Sequence, residues 1–276
     1  MGTHFKQGFT IIETMLVLAV TGVMVATLLV GIGGSINTQR YKDSVTSFKS
    51  LLQDQYSMID NVSNNRDANW TCDVNAKTVA TGSAGTTPGQ SDCVLLGRYV
   101  SVVNDKISTA SIVGVQKTKA PTANDVADIK TNYALGISTN SIEDSTLEWG
   151  AQIAWPVSGS DAAPTSVSPA PPNRAIGILM IRSPLSGTAY TFTSNTVYDI
   201  AAMTSLNITG MMATTTTAVP GQMQRFVCID PSPGSTGLTV PEKLAVSIGQ
   251  SVSAATGIET RSDATTTSLG GTSKCQ

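Results

Sequence analysis

The side chains of this 276-residue chain that could carry chemistry are few and scattered. Four are cysteines: Cys72, Cys93, Cys228 and Cys275. They show no Cys-x-x-Cys spacing and no histidine follows them, so disulfides in an oxidising compartment are expected rather than a zinc site. Three connectivities are open, and Cys72–Cys93 with Cys228–Cys275 is favoured because each pair brackets one coherent stretch. Two acidic pairs, Asp125 with Asp128 and Glu143 with Asp144, have the composition of a calcium site or a glycosidase carboxylate pair. Solvated loops or helix caps account for them better. Trp70, Trp149 and Trp155 offer stacking faces, but beside a cysteine or within strand patterns they are expected in a core. Gly82-Ser83-Ala84-Gly85 lacks the lysine and helix of a phosphate loop. No metal and no cofactor is expected.

One further residue is chemically conspicuous. From Phe9 to Gly34 the chain is Leu-, Val-, Ile- and Met-rich, and its only ionisable side chain is Glu13. As a helix this run is long enough to cross a bilayer. A carboxylate near the centre of such a helix costs about 2.5–3.5 kcal/mol, less towards its end, and commonly marks a partner or a pathway. Residues 1–8 carry His4 and Lys6, so the N-terminus is expected to stay cytoplasmic with the remainder outside. Gly8 offers a cleavage point on the cytoplasmic side of the run, which would make Phe9 the new N-terminus. The competing readings are a plain anchor and a conventional signal peptide cut near Gly33-Gly34-Ser35.

The short basic leader ending in Gly8, then Phe9-Thr10-Ile11-Ile12-Glu13 and an unbroken apolar run, resembles the class III signal of type IV pilins and type II secretion pseudopilins. The resemblance implies cleavage after Gly8 and N-methylation of Phe9 by a prepilin peptidase. It also implies that Glu13 meets the Phe9 amine of a neighbouring subunit in a filament, or its own before assembly. The implied partners are other pilin subunits, the peptidase, a membrane assembly platform and its ATPase. The Cys228–Cys275 pair is similar to the C-terminal disulfide loop of many pilins. Lys243–Gly249 followed by Thr256–Arg261 is similar to the C-terminal region of H-type minor pseudopilins. With the leader removed no histidine would remain, which excludes Ser-His-Asp, Cys-His and His-metal chemistry. No enzymatic activity is expected.

These residues need elements to position them. Beyond Gly34, Tyr41, Val45, Phe48, Leu52, Tyr56 and Ile59 recur at spacings of three and four, with charged residues mostly between them. The pattern predicts an amphipathic continuation of the same helix to about Asn61. Strand-like runs follow at Val94–Val103, Ile107–Val115, Tyr133–Ser138, Leu147–Trp155, Ala175–Arg182, Ala189–Thr193, Arg225–Ile229 and Leu244–Ile248, with short helices expected near Asn124–Lys130 and Asn195–Met203. A closing hairpin is expected from Thr256 to Arg261. The expected fold is α+β, a long N-terminal helix on a β-rich antiparallel head. Its units are a leader (1–8), a transmembrane or filament-core helix (9–34), an amphipathic helix (35–62) and an extracytoplasmic head (63–276).

Charged residues make up only 13% and the net charge is −2, so no electrostatic footprint for nucleic acid is present. The expected function is a structural filament subunit. The alternative is a membrane-anchored or pilus-borne binding module that uses the Pro-rich stretch 159–173 or the Cys72–Cys93 loop.

Overall fold

The computed structural model describes residues 10–61, 70–80, 93–155, 174–194, 196–212, 224–231, 244–249 and 258–261. The architecture is α+β, one long N-terminal helix packed on antiparallel sheets. Helix α1 runs from Ile11 to Asp60, 50 residues, or about 75 Å. Thr10 caps its start by accepting the Glu13 N–H at 3.3 Å, and the Asn61 N–H closes its end on the Ser57 carbonyl at 3.0 Å. Gly31, Gly33 and Gly34 lie inside it without interrupting it.

The two parts of α1 meet different surroundings. Large apolar side chains from Ile11 to Ile36 stand exposed, whereas Tyr41, Val45, Phe48, Leu52, Tyr56 and Ile59 are each at most 3% exposed. Burial of the second set at about 1.5–3 kcal/mol per large side chain is what holds the helix to the head. In the first part the hydroxyls of Thr14, Thr21 and Thr27 donate back to the carbonyls of Ile11, Val17 and Met24 at 2.8–2.9 Å. That bonding pairs their protons within the helix itself.

Strands β1 (Trp70–Cys72) and β2 (Thr78–Ala80) form a small hairpin. β3 (Cys93–Val103) and β4 (Lys106–Gln116) form a long one, turning at Asn104-Asp105 with Asn104 at φ 56°. Next come α2 (Asp125–Asn132), β5 (Tyr133–Ile137), β6 (Glu143–Thr146), β7 (Gln152–Trp155), β8 (Ala175–Arg182) and β9 (Ala189–Ser194). Helix α3 (Ser205–Met211) precedes β10 (Gln224–Asp230), β11 (Leu244–Gly249) and β12 (Ile258–Arg261). The main sheet has the order β5-β4-β3-β8-β9, with β6 beside the start of β4. The second sheet has the order β12-β11-β10-β7.

Alternation sends Val100, Val102, Ile176, Ile178 and Met180 of the main sheet to one face, where they share a core with α1 and with Ile153, Val227, Ile229, Val246 and Ile248 of the second sheet. Tyr99, Leu179 and Ile181 face the other way, onto Ile129 of α2 and Ile208 and Met211 of α3. Both faces being covered explains the almost wholly apolar β8. The β1–β2 hairpin docks on the edge of this sheet through Ala76, whose carbonyl approaches Gly136 so closely that a Cβ there would collide with it.

Three expectations change. Leu147–Trp155 is not one strand: Glu148–Gly150 is a 3-10 turn, and only β7 pairs, with β10. β6 was not anticipated, because all four of its residues are exposed and it takes strand form from its pairing with Lys106–Thr109. The helix expected over Asn195–Met203 reduces to a single 3-10 turn at Ile200–Ala202. α3 begins later, at a capping box in which Thr204 and Asn207 exchange bonds. The stretches 62–69, 81–92, 156–173 and 262–276, which include the polar loops and the Pro-rich segment, lie outside the described residues.

Candidate functional site

Gly8 and Phe9 lie outside the described residues. Glu13 is the third residue of α1, and its backbone is engaged by the cap Thr10. A carboxylate in the first turn lies at the positive end of the helix dipole, which stabilises it by about 0.3–1 kcal/mol when exposed. That is less than the roughly 2.5–3.5 kcal/mol cost of a carboxylate deep in hydrocarbon. The dipole therefore suffices for Glu13 at an interface, and a further cationic partner is needed if it enters an apolar core. The segment that follows is long and apolar enough to cross a membrane.

The joint between this helix and the head is built from polar contacts inside the core. The Arg98 side chain of β3 is buried beneath α1. Its Nε donates to Gln55 Oε1 at 2.7 Å, Nη1 to Ser111 Oγ at 2.7 Å and Nη2 to Thr109 Oγ1 at 3.4 Å. Glu143, at 3.7 Å, is 67% exposed and contributes a screened charge only. Desolvation lowers the Arg98 pKa, while the charges of Glu143 and Asp54 act the other way.

Tyr41 forms a second fastening. Its hydroxyl donates to the Ile229 carbonyl at 2.6 Å and accepts the Leu244 N–H at 2.7 Å, thereby bridging paired residues of β10 and β11. Tyr56 shares a hydrogen bond with Thr191 of β9. Arg182 donates to the last helical carbonyl, of Asp60, at 3.2 Å. Burial pushes the phenols of Tyr41 and Tyr56 up to about 12. Periodicity alone marked both tyrosines only as core. Arg98 was not among the residues expected from the sequence; its signal there is a lone charge inside the apolar run Leu95-Leu96-Gly97-Arg98-Tyr99-Val100, which calls for a buried partner without naming it.

The structure divides the remaining candidates. Asp125 accepts hydrogen bonds from Ser186 and from the Tyr190 hydroxyl, and the Ser186 bond is the main reason its carboxyl sits below the usual range. Asp128 accepts from Asn132 Nδ2 at 2.6 Å. These are α2 fastenings. Glu143 and Asp144 occupy adjacent strand positions and so take opposite faces. Glu143 approaches Arg98, and Asp144 lines a cavity of about 610 Å³ with Ser101, Lys106, Ser108, Tyr198 and Asp199. They cannot flank one substrate together. Among the described residues no group of three or more His, Cys, Asp or Glu side chains converges as a metal set would.

Cys72 and Cys93 are joined by a disulfide that ties the β1–β2 hairpin to the start of β3. Cys228 is disulfide-bonded too. Cys275, the partner expected for it, lies outside the described residues. Trp149, expected in the core, is instead 57% exposed, with the Arg40 guanidinium 4.9 Å from its ring centroid. An exposed cation–π contact of this kind contributes about 0.5–1 kcal/mol. No family model matches this chain, and neither a curated protein nor a solved structure does.

Proposed function

We propose that this chain is a structural subunit of a type IV pilus-like filament, processed after Gly8, methylated on Phe9 and assembled through its N-terminal helix. The observation that carries this reading is the division of α1. One unbroken helix projects an apolar first part clear of the head and is fastened along its second part to both sheets. A subunit of this shape rests in the membrane by its apolar part, with the head outside, and moves as one piece into a helical bundle. Glu13 then acts as an assembly residue: in an apolar core its charge is offset only when the Phe9 amine of a neighbour, or its own before assembly, is near. The partners are other pilin subunits, a prepilin peptidase and the platform and ATPase of an assembly machine. The role is architectural, not catalytic.

A second reading, a membrane-anchored or pilus-borne binding module, is favoured by one observation, the cavity of mixed polar and apolar lining beside Asp144 and Lys106. Its volume lies in the range of small-molecule sites.

The variant Glu13→Ala tests the first reading. Membrane insertion and leader removal are expected to persist, while recovery of the chain in sheared surface filaments falls. Normal incorporation of this variant would remove the proposed role of Glu13.

A further inference from the structure

Trp149 combines three features that packing does not explain. Its backbone is left-handed, at φ 59° and ψ 23°, with Gly150 beside it at φ 69°. For a bulky side chain that conformation is an outlier, of the kind that gathers at functional positions. Leu147 and Ala151 on either side are buried in the α1 core, so the turn is anchored while the indole alone is turned out. One face of the ring carries the Arg40 guanidinium, 4.9 Å from its centroid.

Arg40 has a particular place along α1. It is the first charged residue after Glu13, and the two are separated by about 40 Å of helix. That length matches the ~40–45 Å thickness of a bilayer with its headgroups. With Glu13 at one surface, Arg40 and the indole stacked on it reach the headgroup layer of the opposite leaflet, on the side of the head. Tryptophan concentrates at that depth, where its ring meets the acyl boundary and its N–H meets water and carbonyls. A guanidinium there matches a phosphodiester in charge and geometry.

We propose that Trp149 and Arg40 form a lipid-contact site that seats the head on the adjoining leaflet before the subunit leaves the membrane. The proposal rests on the reading of α1 as a membrane span. Nearby charges balance, Arg40 and Lys42 against Asp43 and Glu148, so the indole carries the contact and zwitterionic lipid suffices. A sequence reading misses the site because residues 40 and 149 come together only in the fold.

The test uses the full chain in phosphatidylcholine bilayers containing lipids brominated either high or low on the acyl chain. Subtracting the emission of Trp149→Phe from that of the wild-type chain isolates Trp149, and the substitution leaves the core untouched. The Trp149 component is expected to lie blue of free tryptophan and to lose more emission to shallow than to deep bromines, with little change on adding salt. Leu28→Trp, about midway between Glu13 and Arg40 along α1 and placed in the Trp149→Phe background, reports the span separately and should lose most emission to deep bromines. A quenched Leu28→Trp with an unquenched Trp149 overturns the lipid site and leaves the span standing. The lipid site falls equally if Trp149 shifts only as subunits associate, which would assign the surface to a second copy. Absence of quenching at both positions overturns the span and the lipid site together.

Discussion

Arg98 of the central strand β3 donates to Gln55 of α1 at 2.7 Å, and the two residues are 5% and 3% exposed. A guanidinium under a helix is tolerated only where its donors are matched, and here Gln55, Ser111 and Thr109 supply the acceptors. Apolar contacts resist separation of helix and sheet but are indifferent to small slides. A directional bond from a buried charge fixes the register. Under the proposed filament role, in which the helix carries the head into an assembly, that joint matters as much as the apolar segment.

Gln55→Ala therefore leaves part of a buried charge unpaired, and a hydrogen bond to a charged group is worth about 1.5–3 kcal/mol. Glu143→Ala removes a mostly exposed partner and should cost at most about 1 kcal/mol. Urea unfolding of the full chain in detergent measures both. Equal effects would contradict the assignment of Gln55 as the principal partner.

Tyr41→Phe strands the Ile229 carbonyl and the Leu244 N–H, with an expected loss of about 1–3 kcal/mol. The same phenols predict the alkaline limit of the fold. Tyr41, Tyr56 and Tyr99 are raised by burial to about 12, against about 10 in an unfolded chain. Between these values the unfolded state has lost protons that the folded state retains, so stability is complete below pH 10 and falls as pH rises towards 12. Phenolate absorbance followed with unfolding should show these tyrosines ionising as the chain opens. Ionisation of all the tyrosines near pH 10 in a folded chain would contradict their burial.

The Cys72–Cys93 disulfide joins residues 21 apart, worth about 3 kcal/mol in the chain-entropy account. Because it ties an edge hairpin, its removal should be felt locally. Cys72→Ser with Cys93→Ser is expected to speed amide exchange in β1, β2 and β5, where Ala76 meets Gly136, and to leave Gln55 and Arg98 protected. Loss of protection throughout α1 would show that the disulfide supports the whole head.

How far the residues announce this structure depends on whether the cause is local. The six apolar positions from Tyr41 to Ile59 are all buried, since a 3.6-residue period depends only on the helix that carries it. Ala175–Arg182 is likewise readable, being apolar enough for a strand covered on both faces. β6 is not readable, because Glu143–Thr146 becomes a strand only where β4 extends beyond β5 and leaves partners free. The short box Thr204–Asn207 hides α3 because asparagine takes the place where glutamate or glutamine usually signals a helix start. The Trp149–Arg40 contact and the Gln55–Arg98 bond join residues distant in the chain, so neither spacing nor composition reveals them.

Mass spectrometry of the N-terminal peptide of the protein isolated from its native envelope tests the central claim most directly. Processing as a filament subunit predicts a peptide that begins at Phe9 and carries one methyl group on its amine. An intact Met1 in the envelope protein, or a start near Ser35, would contradict the account.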